Sequence, residues 1–143
     1  MLNQLLKLLP TQIAYAHCDI PCGIYDPKPA QIAAATVLKM TEKILALPTD
    51  GSPEEILQAR NNFVRMVSVK EEHAERCEQE VLILWTDFFK PEHLKKWPDL
   101  SEKILNISKL CSKAKQGVDQ SSAQELVQAV DELAHIFNLA QAK

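Results

Sequence analysis

One histidine and two cysteines stand within six positions near the start of the chain, in the run His17-Cys18-Asp19-Ile20-Pro21-Cys22. Thiolates select soft or borderline transition metals, and nitrogen donors added in a plane favour nickel or copper. The run continues as Gly23-Ile24-Tyr25-Asp26-Pro27-Lys28-Pro29, so three prolines and a glycine shape the backbone where a helix would otherwise start. A chain beginning at His17 would gain one more donor. A free α-amine has a pKa of roughly 8 and binds metal once it loses its proton, whereas a peptide nitrogen acylated by Ala16 has no such lone pair. The His17 amine and the Cys18 amide nitrogen would close one five-membered chelate ring. That amide nitrogen and the Cys18 thiolate would close a second. The Cys22 thiolate, brought round by Pro21 and Gly23, would complete a plane of two nitrogens and two sulfurs, with the His17 imidazole in axial reach. This set suits Ni(II), and its extra nitrogen suits Ni(III). Taken alone, however, His-Cys-x3-Cys also fits two free thiols in a loop, or a thiol–disulfide pair.

The residues before His17 read MLNQLLKLLPTQIAYA and end in Ala14-Tyr15-Ala16, which looks like a signal-peptidase site. Lys7 and Pro10 interrupt the would-be apolar core, and no side-chain positive charge precedes it. The segment 1–16 is therefore expected to be a propeptide removed in the cytoplasm. The four cysteines are Cys18, Cys22, Cys77 and Cys111. A helix-patterned chain of 143 residues does not need disulfide staples, which favours a reducing compartment. Cys77 and Cys111 fall inside helical patterns and read as small buried hydrophobes.

Two separated blocks carry a family resemblance. His17 to Pro27 closely resembles the N-terminal hook of nickel-containing superoxide dismutases, His-Cys-Asp-x-Pro-Cys-Gly-x-Tyr-Asp-Pro. The block Leu84-Trp85-Thr86-Asp87-Phe88-Phe89-Lys90-Pro91-Glu92-His93-Leu94 resembles the central motif of the same family, and Pro98-Asp99-Leu100 fits it too. The resemblance implies disproportionation of superoxide to dioxygen and hydrogen peroxide, with one nickel ion per subunit cycling between Ni(II) and Ni(III). It further implies a homohexamer of four-helix subunits in the cytoplasm, and a processing protease that cuts just before His17. The implied metal ligands are His17 (amine and imidazole), Cys18 (amide and thiolate) and Cys22 (thiolate). Tyr25 resembles the tyrosine that guards the metal, and Asp19 a hook carboxylate that helps hold the active site. Pro21 and Gly23 shape the hook, and Lys90 is expected to anchor it by an ion pair and to attract superoxide. The chain departs from the actinobacterial pattern at the partners of the axial imidazole, where Ala33 and His73 replace a Glu and an Arg, and at Phe88, which replaces a tyrosine.

These residues need a scaffold, and the rest of the chain is patterned for helices. Only three glycines and 6% aromatics argue against an all-β design. The expected fold is all-α: an antiparallel four-helix bundle over residues 17–143, with a non-helical hook at 17–29. From Ala30 an apolar stripe that includes Ile32, Ala35, Val37, Met40 and Ile44 predicts the first helix. Ser52 with Pro53 and Glu55 forms a capping-box pattern that opens a second helix reaching about Phe89. Lys90 to Pro98 reads as a connection. Asp99 with Glu102 and Ser122 with Glu125 are expected to cap the last two helices, with Gly117 as the stop between them. His93 and His135 read as ordinary surface residues, and Glu71, Glu72, Glu75 and Glu78 as a solvated helix face.

The net charge of −3 and the lack of a basic tract exclude a nucleic-acid partner. No apolar run approaches the ~20 residues that span a bilayer. Removing residues 1–16 takes away Lys7 and no acid, so any steering of an anion must be local. Two rival readings of the hook stand beside the dismutase. One is a thiol redox protein, which would lack the strand–helix setting of Cys-x-x-Cys enzymes. The other is a non-enzymatic nickel or copper carrier.

Overall fold

The computed structural model describes residues 23–142. They form α1 (Lys28–Leu45), α2 (Pro53–Ile83), a π-helical turn that continues α2 (Leu84–Phe88), α3 (Pro91–Lys96), α4 (Leu100–Gln116) and α5 (Gln120–Gln141). No strand occurs among the described residues. α1 packs on α2 and α5, and α4 packs on the same two helices, so four helices close a ring. Neighbours joined by short turns must run antiparallel to lie side by side. The expected four-helix architecture is the one observed.

The local chemistry differs from the expected in instructive ways. α1 begins at Lys28 rather than Ala30, because the Asp26 carboxylate accepts from the Lys28 N–H at 2.8 Å and Pro29 is tolerated in a first turn. The non-helical segment therefore ends at Pro27, not at Pro29. The buried face of α1 is Ala30, Ala33, Ala34, Val37, Thr41 and Ile44. Ile32, placed in the stripe by the sequence reading, is 55% exposed. The small alanines let α2 and α5 approach closely, and that contact outweighs the greater hydrophobicity of Ile32.

α2 opens as expected. The Ser52 side chain accepts from the Glu55 N–H at 3.3 Å, and the Glu55 carboxylate accepts from the Ser52 N–H at 2.8 Å. The Ser52 N–H first, and then the Ser52 hydroxyl, hold the Glu55 carboxyl below its ordinary range. The expected Asp99–Glu102 box does not form. Asp99 makes no capping bond and pairs instead with Lys103 at 3.0 Å, which also reaches Glu132 at 2.7 Å. α5 starts at Gln120, capped by Asp119, whose carboxylate accepts from the Ser121 N–H at 3.1 Å and from the Ser122 hydroxyl. Ser122 thus lies inside the helix: the Asp119 carboxylate, three residues earlier, is the stronger acceptor for the helix N-terminus. Gly117 ends α4 as expected.

The core is sealed by fully buried Leu100, Ile107, Leu126, Val130, Leu133 and Phe137. Cys77 and Cys111 are both wholly buried within it. A hydrogen bond with Cys111, then burial, push the Cys77 thiol far above its ordinary range, which leaves it inert. Lys70 is the exception to an apolar interior. It is 1% exposed and donates to the carbonyls of Ala114 and Gly117, the latter at 2.9 Å, closing the C-terminus of α4.

Candidate metal centre and its pocket

The residues expected to hold the metal or shape its hook at His17, Cys18, Asp19, Pro21 and Cys22 lie outside the described residues, as does segment 1–16. What is described is the segment that follows the hook in the chain and the bundle end it meets. Gly23, immediately after Cys22, has φ +71°, a left-handed conformation that an L side chain rarely adopts. The chain then passes Tyr25, whose hydroxyl oxygen is shielded from solvent. Its ring meets Phe88 at a centroid distance of 6.0 Å.

Phe88 is the hub of this end. It lies 4.3 Å from Phe137 of α5, 5.1 Å edge-on from Phe89, and 5.6 Å from His93 with the planes nearly parallel at 16°. The π-helical turn sets it there. The Phe89 N–H reaches back five residues to the Leu84 carbonyl at 3.0 Å, so the helix widens by one residue just before it ends. Lys90 then turns extended, and its N–H donates to the His93 Nδ1 at 3.1 Å.

Gly23, Tyr25, Asp87, Phe88, Lys90, Glu92 and His93 line one cavity of about 450 Å³ together with Ala140 and Gln141 of α5. Three expected site residues from two distant stretches, Gly23, Tyr25 and Lys90, are therefore brought together. Lys90 is exposed and forms no ion pair among the described residues. The carboxylates of Asp87 and Glu92 share the cavity with its ammonium. Ala33, buried in α1, and His73 do not line it. His73 Nδ1 lies 2.9 Å from the Val69 carbonyl, which can only accept, so the neutral ring keeps a bare Nε2.

His93 is a correction. It is expected on the surface, but it is half-buried among Phe88, Phe89 and Trp97. The available signal was its place three residues after Lys90 at a Pro-initiated turn, where a ring nitrogen can satisfy the first N–H. His135 is exposed, as expected. A second cavity, of about 610 Å³, lies between α1 and α2 and is lined chiefly by Ile44, Leu45, Leu47, Ile56, Phe63 and Val64. Arg60 is its one charged group, so it offers no redox or proton chemistry.

No trio of His, Cys, Asp or Glu among the described residues could hold a metal ion. The sequence also holds one histidine and two cysteines at 17–22. Their nitrogen-and-thiolate chemistry fits nickel.

A helical bundle with a lysine- and histidine-bearing pocket, in a chain that carries thiol and imidazole donors near its start, fits a redox metalloprotein of the all-α class. Comparison with known proteins gives the family. The model of the nickel-containing superoxide dismutases matches residues 12–141. The nickel superoxide dismutase of Streptomyces coelicolor is 34% identical over 137 residues, covering 96% of this chain and 95% of that protein. That of Streptomyces seoulensis is 34% identical over 122 residues, covering 85% and 86%. The solved 1.30 Å structure of a native nickel superoxide dismutase superposes with a TM-score of 0.75 at 31% identity, over 89% of this chain and all of that one. The chain belongs to the nickel-containing superoxide dismutase family. It is an oxidoreductase that acts on superoxide and depends on nickel. Among the described residues no helix is long and apolar enough to cross a membrane.

Proposed function

We propose that this chain is the precursor of the enzyme, activated by a protease that cuts between Ala16 and His17. Residues 1–16 are the propeptide, and residues 17–143 are the four-helix domain carrying the hook. The nickel ligands are the His17 amine and imidazole, the Cys18 amide and thiolate, and the Cys22 thiolate. Bound there, nickel supplies a Ni(II)/Ni(III) couple that thiolate and amidate donors bring into the range needed both to oxidise and to reduce superoxide. Asp19 helps hold the hook, and Pro21 and Gly23 turn it. Tyr25 stands at the entrance, with its ring held against Phe88. Lys90 provides local positive charge in an otherwise acidic protein and draws the anion in. The observation that carries this reading is the convergence of Gly23, Tyr25 and Lys90 on one cavity, Gly23 being the residue that directly follows Cys22 in the chain.

Assembly as a cytoplasmic homohexamer belongs to the same reading. It is supported by apolar side chains left uncovered along α1 and the first half of α2: Leu45 at 55%, Leu57 at 69%, Phe63 at 44% and Val64 at 67% exposure.

Adding nickel to reduced, anaerobic protein tests the proposal when the uncut chain is compared with a chain beginning at His17. The second develops thiolate-to-nickel absorption and superoxide turnover, and the first develops neither. Equal turnover in both would show the amine to be dispensable and would remove the reason for cleavage at this bond.

A further inference from the structure

The aromatic cluster holds a histidine whose ring tautomer is set by its backbone contact. A backbone N–H can only donate, so the bond from Lys90 N–H at 3.1 Å makes His93 Nδ1 an acceptor. The neutral ring then carries its one proton on Nε2, at the opposite edge. Stacking on Phe88 at 16° and edge contact with Phe89 stop the ring from turning over. His93 lines the 450 Å³ cavity together with Tyr25 and Lys90, and its Nε2 has no hydrogen-bond partner among the described residues.

We propose that His93 is a fixed, uncharged hydrogen-bond donor of the pocket, which binds and orients the small oxygen anion through its Nε2–H. This rests on the dismutase reading above. The cavity makes such a donor useful. Its ionised side chains are one ammonium, Lys90, and two carboxylates, Asp87 and Glu92, while α5 contributes only uncharged Ala140 and Gln141. An anion approaching two carboxylates is held better where a second N–H joins the lysine. The same bond that creates the donor rules out a proton relay. A neutral imidazole relays a proton across its ring only by taking one at Nδ1 as it releases the one on Nε2, and Nδ1 already receives the Lys90 N–H. His93 is therefore a positioning residue, and the protons of dismutation come from elsewhere.

Asparagine and glutamine separate the two edges of the ring. In H93N the amide oxygen falls near the place of Nδ1 and keeps the Lys90 cap while removing the far donor. In H93Q the amide nitrogen falls near the place of Nε2 and restores the donor. Azide, a small anion, is the probe. In the metal-free full-length protein, nitrogen NMR of the ring should show protonated Nε2 and bare Nδ1, and azide should move the Nε2 signal. In nickel-loaded protein starting at His17, H93A and H93N should weaken azide inhibition and raise KM for superoxide by about tenfold, the low end for a hydrogen bond to a charged group. H93Q should recover most of that loss, although its melting temperature falls below that of H93N. The proposal is overturned if azide leaves the Nε2 signal unmoved, or if H93N matches the parent while H93Q is the impaired variant. Absent turnover in the parent would instead sink the dismutase reading, and the azide titration would still decide on His93.

Discussion

Replacing Lys70 by methionine separates what holds the bundle together from what works at its end. The lysine is 1% exposed, and its ammonium donates to the Ala114 and Gly117 carbonyls at the end of α4. Methionine keeps the length and apolar stem but leaves both carbonyls without this donor, and Ala114 is itself buried. An orphaned buried acceptor costs about 1–3 kcal/mol. Against this, the substitution relieves the desolvation that holds the Lys70 pKa below its ordinary range. The balance is a loss of about 2–3 kcal/mol. For a chain of this size that lowers Tm by roughly 8 °C, measured by thermal denaturation at fixed protein concentration because assembly shifts Tm. Lys70 lies about 27 Å along the helix axis from Phe88. Turnover per bound nickel, assayed well below the transition, should therefore match the parent. A Tm within about 1 °C of the parent would refute the capping role. Lost turnover at unchanged Tm would refute the separation of scaffold and site.

Cys18→Ser and Cys22→Ser should each abolish superoxide turnover and alter the nickel absorption, since oxygen donates less than sulfur and raises the potential of the couple; near-normal turnover in either would overturn the ligand assignment. Tyr25→Phe should retain nickel, measured as metal content, while changing the rate or its inhibition by small anions. The Asp119 carboxyl is held below its ordinary range by the Ser122 hydroxyl first, with Lys113 and the Ser121 N–H helping. Its contribution to stability is thus complete above the unfolded value near 3.8 and is lost as pH falls through the lower folded value. Tm should decline below about pH 4 and do so less steeply in D119N.

Much of the architecture was legible in residue types. Ser52, Pro53 and Glu55 announce a helix start through groups that act on their own backbone, and that start is formed as expected. Gly117 marks a stop for a similarly local reason. Reading failed where a residue chose a partner from another element. Asp99 looked like a cap, yet Lys103 drew its carboxylate away while also bridging to Glu132 of α5. The inward face of α1 was misjudged because Ile32 is more apolar than Ala33, whereas close helix approach rewards the smaller side chain. At the site, Tyr25 and Lys90 could be marked by motif. Their meeting with Phe88 and His93 in one cavity could not, because it depends on a helical irregularity that hydrophobic period does not encode.

That irregularity, the five-residue turn Leu84–Phe88, acts as a phase shifter. One surplus residue swings everything after it by about 100° around the helix axis. Deleting a single residue here would regularise the long helix, a change that ordinarily stabilises a protein. The same deletion would point Lys90 and His93 a quarter-turn away from Tyr25. Stabilising this stretch by making it more regular should therefore yield a sturdier protein with a blinded pocket.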